Sequence, residues 1–222
     1  MSATLITLGV LALLAGVALL VVDVRRRSLR GRVRREWAGH HSARYAAVDP
    51  VLTGQWHHGV FSRGGAGRAV ELVSGEPDGN RLYLFDLEQA GRVVCTVLAR
   101  RRPTTSDTTL ELRMGSSTAA TGAEATQKIE QVTSEAGMDL LGHVGTRYAF
   151  TDDLEAARRA VDERLVLLAD AAGEDISVLW AEGAWALAAV NATAGPQRWD
   201  EIAALLGRFA DLVRLLPPVQ RT

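Results

Sequence analysis

From Ala3 to Val22 the chain carries no charged side chain, and no other feature restricts it so severely. Twenty residues at about 1.5 Å rise give a helix roughly 30 Å long, the thickness of a bilayer's hydrocarbon core. Leu5, Ile6, Leu8, Val10, Leu11, Leu13, Leu14, Val17, Leu19, Leu20, Val21 and Val22 supply the apolar surface. A cleaved signal peptide would want a basic start, a shorter apolar core and a small-residue cleavage site. Met1-Ser2 has no basic side chain, and arginines follow the run instead of preceding it. An uncleaved transmembrane helix over residues 1–24 is the expectation. Gly9 and Gly16 share one face of it, where small residues permit close helix approach but are also ordinary membrane-helix glycines.

Orientation follows from Arg25, Arg26, Arg27, Arg30, Arg32, Arg34 and Arg35. A basic cluster directly after a span is retained on the cytoplasmic side, so the N-terminus is expected outside and the remainder inside. Residues 1–36 hold those seven Arg against Asp23 and Glu36, a charge of +5; with the whole chain at −1, residues 37–222 carry −6. An acidic body behind a basic collar does not suit a nucleic-acid binder. The collar suits anionic lipid head groups. Leu29, Val33 and Trp37 recur every fourth residue among these arginines, which predicts a basic amphipathic helix or linker over 25–50.

The text then changes to short apolar runs separated by Gly-rich turns. Strands are expected at Trp56–Arg63, Arg68–Ser74, Asn80–Leu87, Arg92–Ala99, Thr108–Met114 and Thr146–Phe150. Short connections imply antiparallel neighbours. Gly115–Thr126 reads as a loop entering a helix near Glu124–Ala136. One helix follows Thr151 or Asp152 as cap, with Leu154, Ala157, Val161, Leu165 and Leu168 inward. Ile176–Ala181 and Ala184–Val190 read as a hairpin closed by Glu182-Gly183. A last helix runs from about Arg198 to Leu216 and stops at Pro217-Pro218. The expected class is α+β: an antiparallel sheet packed with helices over residues 51–222, preceded by one transmembrane helix.

Catalytic and metal signatures are weak. His57 and His58 are adjacent, so on a strand they would point to opposite faces. Gly64-Gly65-Ala66-Gly67 lacks the Lys-Ser/Thr ending of a phosphate loop. Cys95 is the only cysteine and sits in the apolar run Val93–Val97, as a buried structural thiol would. No catalytic residue, cofactor site or metal site is assigned. Trp180, Trp185 and Trp199 remain: either a core cluster holding the hairpin against the last helix, or a docking surface or apolar-ligand groove.

The anchor Ala3–Val22, the arginines after it, the strand-first α+β body, the Trp180-Ala181-Glu182-Gly183-Ala184-Trp185 segment and the final amphipathic helix together resemble the trehalose monomycolate transport factor A family of actinobacteria. The chain is short for that family. The resemblance implies a non-catalytic accessory or scaffold factor beside an RND-type inner-membrane transporter that exports trehalose monomycolate. It brings no catalytic residues with it. A membrane-tethered lipid- or small-ligand-binding module is the second reading, and an enzyme the third.

Overall fold

The computed structural model describes residues 29–62, 67–114 and 137–218. Ala3–Val22, Gly9, Gly16, Arg25, Arg26, Arg27 and the helix expected over Glu124–Ala136 lie outside them. Among the described residues no helix is long and apolar enough to cross a membrane.

Helix α1 spans residues 29–40. Seven antiparallel strands follow: β1 (Arg44–Asp49), β2 (Arg68–Gly75), β3 (Leu82–Gln89), β4 (Arg92–Met114), β5 (Asp139–Val144), β6 (Arg147–Thr151) and β7 (Ile176–Val190). Helices α2 (Leu154–Ala160) and α3 (Glu163–Ala171) lie between β6 and β7, and α4 (Pro196–Leu212) ends the domain. The strand order is β1-β2-β3-β4-β6-β5, and β7 pairs with β4. The expected α+β class with an antiparallel sheet is what forms.

Two strands organise the rest. β4 runs for 23 residues, through the segment 100–107 where the sequence suggested a break. Pro103 is tolerated there because the β4–β7 register shifts between Arg101 and Ser106, so no ladder bond is asked of its nitrogen. The expected Glu182-Gly183 hairpin is likewise not a hairpin. Ala181 pairs with Leu110 and Trp185 with Arg101, so both halves of β7 find partners on β4 and not on each other. Gly183, at φ +56, absorbs the bend. Ala181 and Ala186 both enter the helix-side core although five residues apart, which marks one extra residue at the bend.

The predicted single helix after Thr151 is also two. Asp153 caps α2 by accepting from Glu155 and Ala156 N–H, and Asp162 caps α3 by accepting from Leu165 N–H, with Val161 extended between them. Asp162 also pairs with Arg164 at 2.8 Å. The last helix ends at Leu212, four residues short of the expected Leu216, and Ile202, Leu205, Leu206 and Phe209 on it, with Val213 and Leu216 after it, are all buried. Trp56–Arg63 does not form a strand among its described residues. β1 and β5, both at sheet edges, carried too weak an alternation to be seen.

The four helices among the described residues cover one face of the sheet, where Trp37, Leu84, Leu112, Leu165, Leu179 and Phe209 belong to one core. The opposite face buries Phe85, Val97, Trp180 and Leu187 beneath the segment 52–61. Residues 29–50, part of the segment expected from the sequence as a basic juxtamembrane helix or linker, are built into this architecture: α1 packs on the sheet and β1 pairs with β2.

Candidate docking site

The basic segment divides once it is folded. Arg32 points to solvent and pairs with Glu36 at 2.9 Å. Arg35 is exposed and lies 5.2 Å from the Tyr45 ring, whose hydroxyl donates to Glu71 at 2.6 Å. Arg30 is half-buried. Arg34, placed with the lipid-facing collar from sequence, is 2% exposed and unavailable to head groups. Its Nη2 donates to Asp86 at 2.5 Å and meets the Thr96 hydroxyl at 3.3 Å. Thr96 in turn donates to Asp86 at 2.6 Å. The guanidinium carbon stands 4.1 Å over the Trp199 ring. Burial pulls the Arg34 guanidinium below its ordinary range, and the Asp86 carboxylate opposes that shift.

One turn further along α1, Trp37 is buried edge-on to Trp199 at 6.0 Å and donates its indole N–H to Asp200 at 2.9 Å. The helix is thus fastened by a charge pair, an aromatic pair and a hydrogen bond. The four-residue spacing predicted a helix here; its inner face is Gly31, Arg34, Trp37 and Ala38, with Val33 packed against the core, while Leu29 is exposed. Asp86 and Thr96 were missed, although each is a polar residue inside an otherwise apolar strand run, which was the available signal.

The three singled-out tryptophans do not form one cluster. Trp199 lies in the helix-side core. Trp180, fully buried, lies in the opposite core. Trp185 sits half-buried at that core's rim, 5.2 Å from the Tyr83 ring and 5.8 Å from Trp56. Strand alternation separates them: Trp180 and Trp185 share a face across the Gly183 bend, while α4 packs on the other.

Trp56 and Phe61 cap this second core, Trp56 stacking on Phe85 at 5.8 Å. Two carboxylates fix their segment. Glu182 accepts from the backbone N–H of His57 at 2.8 Å and of His58 at 3.2 Å. Buried Glu111 accepts from Gly59 N–H and pairs with Arg113 at 2.6 Å. These acceptors replace the strand ladder that sequence reasoning expected there. His57 and His58 do not join a metal cluster: among the described residues no three His, Cys, Asp or Glu side chains converge on one point. The Cys95 thiol is pushed up to about 12 by burial, with Asp86 adding to the shift, which removes the thiolate a nucleophile requires.

A pocket beside Trp37, His41, Val73 and Leu82 has about 10 Å³, room for one water at most. A larger opening, about 400 Å³, is a surface groove lined by Ser42, Arg44, Ser74, Glu76, Arg81 and Tyr83. The arrangement holds a helix firmly and offers exposed surfaces.

The comparisons with known proteins agree with this architecture. The family model described as "Trehalose monomycolate transport factor TtfA" matches residues 1–222. Trehalose monomycolate transport factor A of Mycolicibacterium smegmatis is 33% identical over 213 residues, which is 96% of this chain and 70% of that protein. The crystal structure of the mycobacterial trehalose monomycolate transport factor A superposes with a TM-score of 0.72 at 31% identity, covering 86% of this chain and 98% of that one. With a whole-length family match, a curated relative and a solved fold in accord, the chain belongs to the trehalose monomycolate transport factor A family.

Proposed function

We propose that this protein is a non-catalytic, membrane-anchored accessory factor that positions its α+β domain beside an RND-type inner-membrane transporter of trehalose monomycolate. The observation that carries the reading is the docking of α1. The helix described from Leu29, seven residues after the apolar run, carries a buried Arg34–Asp86 pair and the Trp37–Trp199 contact. Whatever holds the first residues in a bilayer thereby holds the whole domain. Tethering of this kind raises the local concentration of the domain at a membrane partner without a strong interface. The anchor is taken as uncleaved, with the N-terminus outside and the domain on the cytoplasmic side, and Arg25, Arg26 and Arg27 as contacts to anionic head groups. Tagged full-length protein purified from crosslinked membranes is expected to bring down the transporter. Recovery of the bait without any envelope lipid transporter would contradict the proposal.

A second reading, a ligand-binding module, draws on the groove beside Tyr83. Arg44, Arg81, Ser42 and Ser74 give it a polar lining, suited to a sugar or phosphate head group and not to an acyl chain. Native mass spectrometry of the membrane-purified protein tests it; a spectrum with no co-purifying ligand counts against it.

A further inference from the structure

Seven large apolar residues are exposed among those described, and four of them gather at one end of the domain. They are Leu29 at 61% exposure, Val48 at 46%, Val51 at 78% and Val94 at 50%. Pairing fixes their neighbourhood. Val48 pairs with Val70 on β2, Val70 with Asp86 on β3, and Asp86 with Thr96 on β4. Val94 lies two residues from Thr96 towards this same end, and Val51 two residues beyond Asp49. α1 arrives here too: a Cβ on Gly31 would come 2.6 Å from the Glu71 carboxylate, and Arg34, one turn on, reaches Asp86 and Thr96. Leu29 and Arg30 precede Gly31 and Arg34 on α1 and so lie towards this same end. The remaining exposed apolar residues, Leu140, Leu167 and Leu215, lie on β5, α3 and the turn after α4.

Arg92 is exposed and Arg30 half-buried. The carboxylates nearby keep their charge and are held by groups of the domain itself. Asp49 accepts from Val51 and Leu52 N–H, Glu88 pairs with Arg68 at 2.6 Å, and Glu71 takes the Tyr45 hydroxyl. Leu29 follows Val22, the last apolar residue of the uncharged run, by seven residues. That separation spans about 10 Å as a helix and at most about 25 Å fully extended.

We infer that this end of the folded domain lies against an anionic lipid bilayer, with Leu29, Val48, Val51 and Val94 entering the head-group region and Arg30 and Arg92 meeting lipid phosphates. Exposed apolar residues among cations are how interfacial surfaces bind membranes. Beyond anchoring, the contact fixes the tilt of the domain, because α1 cannot pivot on its buried pair. The groove beside Tyr83, near the far end of α1, is thereby turned away from the membrane. The inference rests on the anchored reading above.

Nitroxide labels at Val51→Cys, Val94→Cys and, as control, Leu167→Cys, each in full-length protein with Cys95→Ser, test it in vesicles of phosphatidylcholine and phosphatidylglycerol. The labels at 51 and 94 are expected to collide several-fold more with oxygen than with a water-soluble nickel complex, and the label at 167 the reverse. Adding Arg30→Glu and Arg92→Glu is expected to shrink that difference. Equal nickel access at all three sites, in protein that resists alkaline extraction, would overturn the bilayer contact while leaving the anchor intact. Extraction by alkali would overturn both. Protection at 51 and 94 only when the transporter is co-reconstituted would assign this end to a protein partner and refute the inference.

Discussion

Arg34 and Asp86 offer the sharpest energetic test of how the domain is fastened. Both side chains are nearly solvent-free, at 3% and 2% exposure, so removing one strands the other. Arg34→Met leaves the Asp86 carboxylate with the Thr96 hydroxyl as its remaining side-chain donor and deletes the cation over Trp199. Breaking a buried pair from one side costs about 3–5 kcal/mol. Asp86→Leu strands the guanidinium instead, at a comparable cost of about 3–5 kcal/mol. Simple additivity would then place the double variant about 6–10 kcal/mol below the parent, a large share of an ordinary domain's stability. Replacing both partners by apolar side chains of similar volume removes the stranded charge, and the double variant is expected within about 2 kcal/mol of the parent. Denaturant titration of the detergent-solubilised full chain, followed by tryptophan fluorescence, reads all four corners of the cycle. Single variants that each cost under about 1 kcal/mol, in the range of surface pairs, would refute the claim that this pair locks α1 to the sheet.

Three further outcomes follow from the geometry. Gly59→Ala adds a Cβ about 2.5 Å from the Trp180 ring at a residue with φ +66; left-handed backbone and overpacking together are expected to cost about 2–4 kcal/mol, read from the same titration. Cys95, its thiol pushed up to about 12, is expected to stay unmodified by iodoacetamide at mildly alkaline pH until denaturant is added, as mass spectrometry would show. Arg198 hydrogen-bonds Asp175 at 2.6 Å and holds its carboxyl below the ordinary range. A depressed carboxylate pKa contributes stability above its unfolded value and loses it as pH falls through the folded one. The stability gap between wild type and Arg198→Ala is therefore expected at neutral pH and should narrow at strongly acidic pH.

Much of the architecture was legible because periodicity reports on faces. The inner stripe of α4 and the strands around Leu82–Leu87 and Arg147–Phe150 follow from it directly. What stayed hidden was decided by partners distant in sequence. Glu182-Gly183 has the chemistry of a tight turn, yet β7 continues through it because β4 is there to pair with both halves. The one helix expected after Thr151 is two because Asp162 caps the second, its side chain taking the Leu165 N–H. Trp180 and Trp199 are close in sequence and lie in separate cores, because one is on a strand and the other on a helix across the sheet. Arg34 belonged visually to a basic run, and only the fold reveals that Asp86 and Thr96, more than fifty residues downstream, claim it.

The central claim is that a bilayer-embedded N-terminus carries this domain on the cytoplasmic side, and a topology reporter fused after Thr222 tests it most directly. Paired fusions in live cells, one active only in the cytoplasm and one only outside, should give signal from the cytoplasmic reporter alone. Signal from the external reporter alone would contradict the account.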